Sequence, residues 1–76
     1  MFFQKKNSAV REIEALFHEI QINLENNYKD LAISARKKAE TKLADYQTQG
    51  RFKDKEYQRL KNTLDDYTTR MEGYHH

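Results

Sequence analysis

Apolar residues recur along the first two thirds of the chain at the repeat of a straight α-helix. The series Val10, Ile13, Phe17, Ile20, Leu24, Tyr28, Leu31, Ala35, Ala39, Leu43 and Tyr46 advances 36 residues in ten steps, a mean spacing of 3.6. That is one residue per turn on a single helical face. Neither proline nor glycine intervenes before Gly50. The pattern predicts one unbroken helix over residues 8–49, opened by Asn7 or Ser8, whose side-chain oxygen can take up a free backbone N–H. Leu16 widens the face in its first half. Ile22 and Ile33, eleven residues apart, share the opposite side with Ala15 and Ala44 nearby, which suggests a second contact.

Gly50 marks the turn, because glycine takes the left-handed conformation that ends a helix without a Cβ clash. Beyond it, Tyr57, Leu60, Leu64, Tyr67, Met71 and Tyr74 are spaced 3, 4, 3, 4, 3 with polar residues between, a heptad seam. This predicts a second helix over residues 54–72. Phe52 and Tyr57 fit a hydrophobic staple with Glu56 at the third helical position, which makes Lys53 the N-cap. Asp54 is the better capping side chain but breaks the staple register, so the staple is favoured. Lys61–Asp65 and Asp66–Arg70 stand four apart as surface ion pairs. Residues 1–7 read as a lead-in and residues 73–76 as a tail, both flexible, around a single domain over 1–76.

The two predicted lengths do not match. A rod of roughly 60 Å meets a returning arm of roughly 28 Å, which reaches from Tyr46 to about Tyr28. Val10, Ile13, Leu16, Phe17, Ile20 and Leu24 are then left bare. At roughly 1.5–3 kcal/mol per large buried side chain, their exposure forfeits on the order of 10 kcal/mol, against a typical total stability of ~5–15 kcal/mol. The expectation is an all-α antiparallel helical hairpin whose bare half is covered by a second copy, giving an elongated four-helix bundle. A heterologous protein helix is the competing partner.

Composition narrows the function. With 37% hydrophobic and 34% charged residues, narrow apolar stripes on exposed helices fit better than a thick core. The chain has no cysteine, so no disulfide or thiolate metal site is available. It has no signal-like or membrane-length apolar run, and the expected location is the cytoplasm, with leaderless secretion as the alternative. His18 lies one turn after Glu14, and Glu72 and His75 have Glu-x-x-His spacing, but neither pair has the further ligands a metal site needs. His75 and His76 are native residues or the start of a tag. No glycine-rich phosphate loop and no nucleophile with a partner base is present. No catalytic residue, cofactor, metal or small-molecule substrate is expected.

Charge is unevenly spread. Residues 36–61 carry a net +5 while the whole chain is +2. Arg36, Lys37, Lys38, Arg51, Lys53 and Lys55 are therefore candidate contacts for nucleic acid or another anion. The turn from Gly50 to Tyr57, followed by Leu60 and Lys61, resembles that of many small bacterial helical hairpins. The size and outline also resemble small coiled-coil secretion chaperones and the WXG-type secreted hairpins, whose Trp-x-Gly turn is missing here because the chain has no tryptophan. The expectation is a non-enzymatic protein–protein interaction module, a scaffold, adaptor or small chaperone, with nucleic-acid binding as the alternative.

Overall fold

The computed structural model describes residues 7–72. These residues are all-α, in three helices rather than two: α1 (Ser8–Glu25), α2 (Lys29–Thr48) and α3 (Asp54–Arg70). The expected continuous helix over 8–49 is therefore corrected, and the reason is local. Asn27 has φ 62°, the single positive value among non-glycine residues described. Asparagine tolerates this left-handed region better than most side chains. Around it, the Tyr28 N–H donates to the Asn23 carbonyl at 2.8 Å and the Asn27 N–H to the Leu24 carbonyl at 3.1 Å. These two bonds form a Schellman motif, which satisfies the last free carbonyls of α1. Asn26 adds a side-chain bond from Nδ2 to the Ile22 carbonyl at 3.0 Å.

The same device closes α2. Gly50 has φ 71°, the Arg51 N–H donates to the Tyr46 carbonyl at 2.9 Å, and the Gly50 N–H donates to the Gln47 carbonyl at 3.0 Å. At the start of α1, Asn7 Oδ1 accepts from the Ala9 N–H at 2.8 Å, as an N-cap should. Lys53 caps α3 through its main chain, its N–H donating to Glu56 Oε1 at 3.0 Å. The cap thus falls where the staple spacing put it.

With the rod bent back, α1 lies antiparallel to α2, and α3 runs beside both. Val10, Ile13, Phe17 and Ile20 from α1 are buried together with Ala32, Ala35, Ala39 and Leu43 from α2 and Leu60, Leu64 and Met71 at the α3 side. The α1–α2 contact is the most extensive of the three. The alanine stripe of α2 explains this, since three methyl-sized side chains allow the two backbones to approach closely. Ala32 occupies the core position that the helical spacing gave to Leu31, while Tyr28 and Leu31 are 57% and 55% exposed. Leu31 is exposed in the first turn of α2, whereas Ala35, Ala39 and Leu43 keep the core positions that the spacing gave them.

The elongated bundle of two copies rested on the α1 face being bare, and within this fold α2 and α3 cover it. Two predictions follow from the turn and the core. Asn27→Gly should hold or slightly raise stability, whereas Asn27→Val should lose about 1–2 kcal/mol, read by urea denaturation. Ile13→Ala should lose about 2–5 kcal/mol, with a thermal midpoint independent of protein concentration in both proteins, the behaviour of a core within one chain.

Candidate functional site

The six residues expected to meet a partner, Val10, Ile13, Leu16, Phe17, Ile20 and Leu24, all turn inward. Four are buried, and Leu16 and Leu24 are partly buried against the same core. Phe17 stacks at 5.9 Å on the Tyr67 ring, so α3 completes the cover from the other side. Ile22 and Ile33 do not share a face. Ile22 is 41% exposed on α1, whereas Ile33 lies on α2 at the edge of a groove against α3. Their common azimuth belonged to a continuous helix that the turn at Asn27 interrupts.

The six candidate cations are also divided. Arg36 pairs with Glu40 at 3.5 Å and is largely covered. Lys37 and Lys38 are exposed in the middle of α2. Arg51, Lys53 and Lys55 sit at the far end of the bundle, at least about 15 Å along the helix from Lys38. Arg51 is already engaged: Nη2 donates to Ser8 Oγ at 3.0 Å, its guanidinium lies 5.0 Å from the Tyr46 ring centre, and its carbonyl accepts from Asn7 Nδ2. It holds the start of α1 to the α2–α3 connection.

A polar cluster ties α1 to α2 at this end. Glu12 accepts from the Tyr46 hydroxyl and pairs with Lys42 at 2.9 Å. The Tyr46 hydroxyl and then the Lys42 ammonium hold the Glu12 carboxyl below the usual carboxylate range. The same contacts, Glu12 first, push Tyr46 and Lys42 upward. Tyr46 also meets Phe52 edge-on at 6.1 Å and 87°. On the other flank Arg59 reaches Glu14 at 3.1 Å, and the Tyr67 hydroxyl donates to Gln21 Oε1 at 3.1 Å. Lys61 and Asp65 pair at 3.1 Å as their spacing predicts, whereas Arg70 turns to the Tyr67 ring, 5.2 Å from its centre.

His18 is exposed in a shallow, open depression beside Arg11, Glu14 and Ala15. No group of three His, Cys, Asp or Glu residues among those described could hold a metal ion. His75, the second half of the Glu-x-x-His spacing, lies outside the described residues, as does His76. No described helix is long and apolar enough to cross a membrane.

A groove also lies between α2 and α3, more enclosed than the open depressions elsewhere on α1 and α2. Its upper part, about 300 Å³, is lined by residues that include Glu40, Leu43, Ala44, Tyr57, Lys61 and Leu64. Its lower part, about 260 Å³, is lined by Ile33, Arg36, Lys37, Thr68 and Met71. Arg36 and Thr68 border both parts. Ala44 opposite Tyr57 at one end and Ile33 opposite Met71 at the other place α3 antiparallel to α2. Leu43, Leu64 and Met71 form an apolar floor, each under 5% exposed. From Ile33 to Ala44 the groove follows about 16 Å of helix. The signal for it was the pair Ile33 and Ala44 on the back of the predicted helix, a valid alignment because both lie within α2.

No protein-family model, curated protein or solved structure matches this chain. The site is therefore read from its own geometry.

Glu12 gives a pH-dependent test. A carboxyl whose folded value is depressed stabilises the fold above its unfolded value, and that contribution disappears as pH falls through the folded value. The stability gap between the wild type and Glu12→Gln should therefore be largest near neutral pH and should close below the ordinary carboxylate value of 4.5. Denaturation curves across that range measure it.

Proposed function

We propose that the protein is a small non-catalytic protein–protein interaction module, a scaffold or adaptor, that works as one three-helix bundle. Its α2–α3 groove receives a helix from a partner. The observation that carries this reading is the groove between α2 and α3, with Leu43, Leu64 and Met71 at its base and Ile33 and Tyr57 half-buried at its edges. Such a channel, about three turns long, fits the apolar stripe of an amphipathic helix, and filling it would complete a four-helix arrangement.

Dimerisation through α1 is the less favoured reading, because Val10, Ile13, Phe17 and Ile20 are buried within the chain. Nucleic-acid binding by one basic tip is weakened by the division of the cations between mid-α2 and the far end. The absence of cysteine fits a reducing compartment, and the cytoplasm is the proposed location.

Ala44 is exposed yet borders the groove, so Ala44→Arg fills it at little cost to the core or to helix propensity. Ala15→Arg, on the exposed side of α1, is the control. Light scattering after size exclusion should give 9.2 kDa for the wild type and both variants. A partner recovered from the native cell and then purified should bind the wild type and Ala15→Arg equally and lose at least about tenfold in affinity for Ala44→Arg. Equal binding to all three would remove the groove from the reading, and a dimeric mass would restore self-association.

A further inference from the structure

We propose that two copies of the chain exchange α1 by straightening at Asn27, so that each α1 packs on the α2 and α3 of the other copy. The buried positions on both sides of the turn belong to one helical series. Phe17, Ile20, Leu24, Tyr28, Leu31 and Ala35 advance by 3, 4, 4, 3 and 4 residues. Phe17 and Ile20 before the turn, and Ala35, Ala39 and Leu43 after it, are all buried. A continuous helix would therefore carry on one side the faces that the bent chain folds together. Only Asn26, Asn27 and Tyr28 separate α1 from α2. None of the three is glycine or proline, and the reversal depends on Asn27 holding φ 62°. A short connection kept in a costly conformation is a hinge that favours exchange between copies.

Straightening loses the bonds from the Tyr28 and Asn27 N–H groups to the Asn23 and Leu24 carbonyls, and ordinary helical bonds replace them. It also releases Asn27 from the left-handed region. The contacts of α1 with α2 and α3 would be the same between two chains as within one. What differs is Tyr28 and Leu31, 57% and 55% exposed in the bent chain. On a straight rod of roughly 60 Å they lie on the apolar stripe at its middle. Two antiparallel rods would cross there at a two-fold axis, each covering the other's pair. Against this, the short connection holds α1 beside its own α2 at an effective concentration on the order of millimolar. The bent monomer therefore prevails in dilute solution, and exchange takes place when chains refold together near that concentration. The exchanged pair then persists on dilution, because α1 must leave a packed core before it can return. α2 and α3 stay together within each chain, so the groove between them is unaltered by the exchange.

The test unfolds the full chain in urea, refolds it at about 1 mM, dilutes it and reads its mass by light scattering after size exclusion. The wild type should give a fraction at twice 9.2 kDa that is missing when refolding is dilute. Asn27→Ala favours the straight helix at both hinges of a pair and should raise the dimer-to-monomer ratio at least about tenfold. Asn27→Gly should lower it. Exchange is told from side-by-side association by spin labels on the double variant Ala15→Cys, Asp45→Cys, both at exposed positions of a chain without cysteine. Labelled chain refolded with excess unlabelled chain should show a separation of about 45 Å in the dimer. In the monomer, whose α1 and α2 are neighbours, it should be less than about 25 Å. Unsubstituted Asn27 supplies both the mass and the distance, so the outcome does not depend on either Asn27 variant folding. No dimer at about 1 mM, the short separation in the dimer, or a ratio that folded Asn27→Ala leaves unmoved overturns the proposal.

Discussion

The fold depends on one residue's ability to sit in the left-handed backbone region. Asn27 allows α1 to end in a Schellman motif, and the chain then reverses over Tyr28 into α2. Without that reversal, the apolar face from Val10 to Ile20 would project beyond the reach of α3. With it, the same face meets the alanine stripe Ala32, Ala35 and Ala39 at close quarters. The penalty for the left-handed conformation is on the order of 1 kcal/mol, whereas the face it buries is worth several times that. The turn is therefore strongly favoured by the packing it permits, although asparagine costs more there than glycine.

Close approach of α1 and α2 also shapes the third contact. A pair joined through small residues is narrow, so α3 rides along its side, with Phe17 stacked on Tyr67 and Leu60 and Leu64 filling the middle. The polar ties distribute around this core. Glu12, Tyr46 and Lys42 join α1 to α2, Glu14 and Arg59 join α1 to α3, and Arg51 links the start of α1 to the connection between α2 and α3. The α2–α3 side has the fewest such ties, and its own ion pairs run along α2 and along α3 rather than across. That is why the concave channel lies there.

The proposed role follows from this asymmetry. Two of the three inter-helix seams are crossed by ion pairs or hydrogen bonds, and the remaining one holds the groove with Leu43, Leu64 and Met71 at its base. Of the cations at the far end, Arg51 ties the start of α1 to the connection between α2 and α3.

The sequence by itself determined the helical class, the α3 seam from Leu60 to Met71, the cap at Lys53 and the stop at Gly50, because each rests on spacing or on a residue with one strong local preference. It also identified Val10, Ile13, Phe17 and Ile20 as residues that must be covered. What covers them was decided by tertiary structure. Asn27 has no obligatory conformation, and the apolar spacing from Leu24 through Tyr28 to Leu31 runs across the break as though none existed. Only the burial gained when α1 folds onto α2 chooses the left-handed state. That choice moves Ala32 inward and Leu31 outward, separates Ile22 from Ile33, and opens the α2–α3 groove. Local pattern records which residues avoid water, but the packing of distant segments decides where the chain bends to satisfy them.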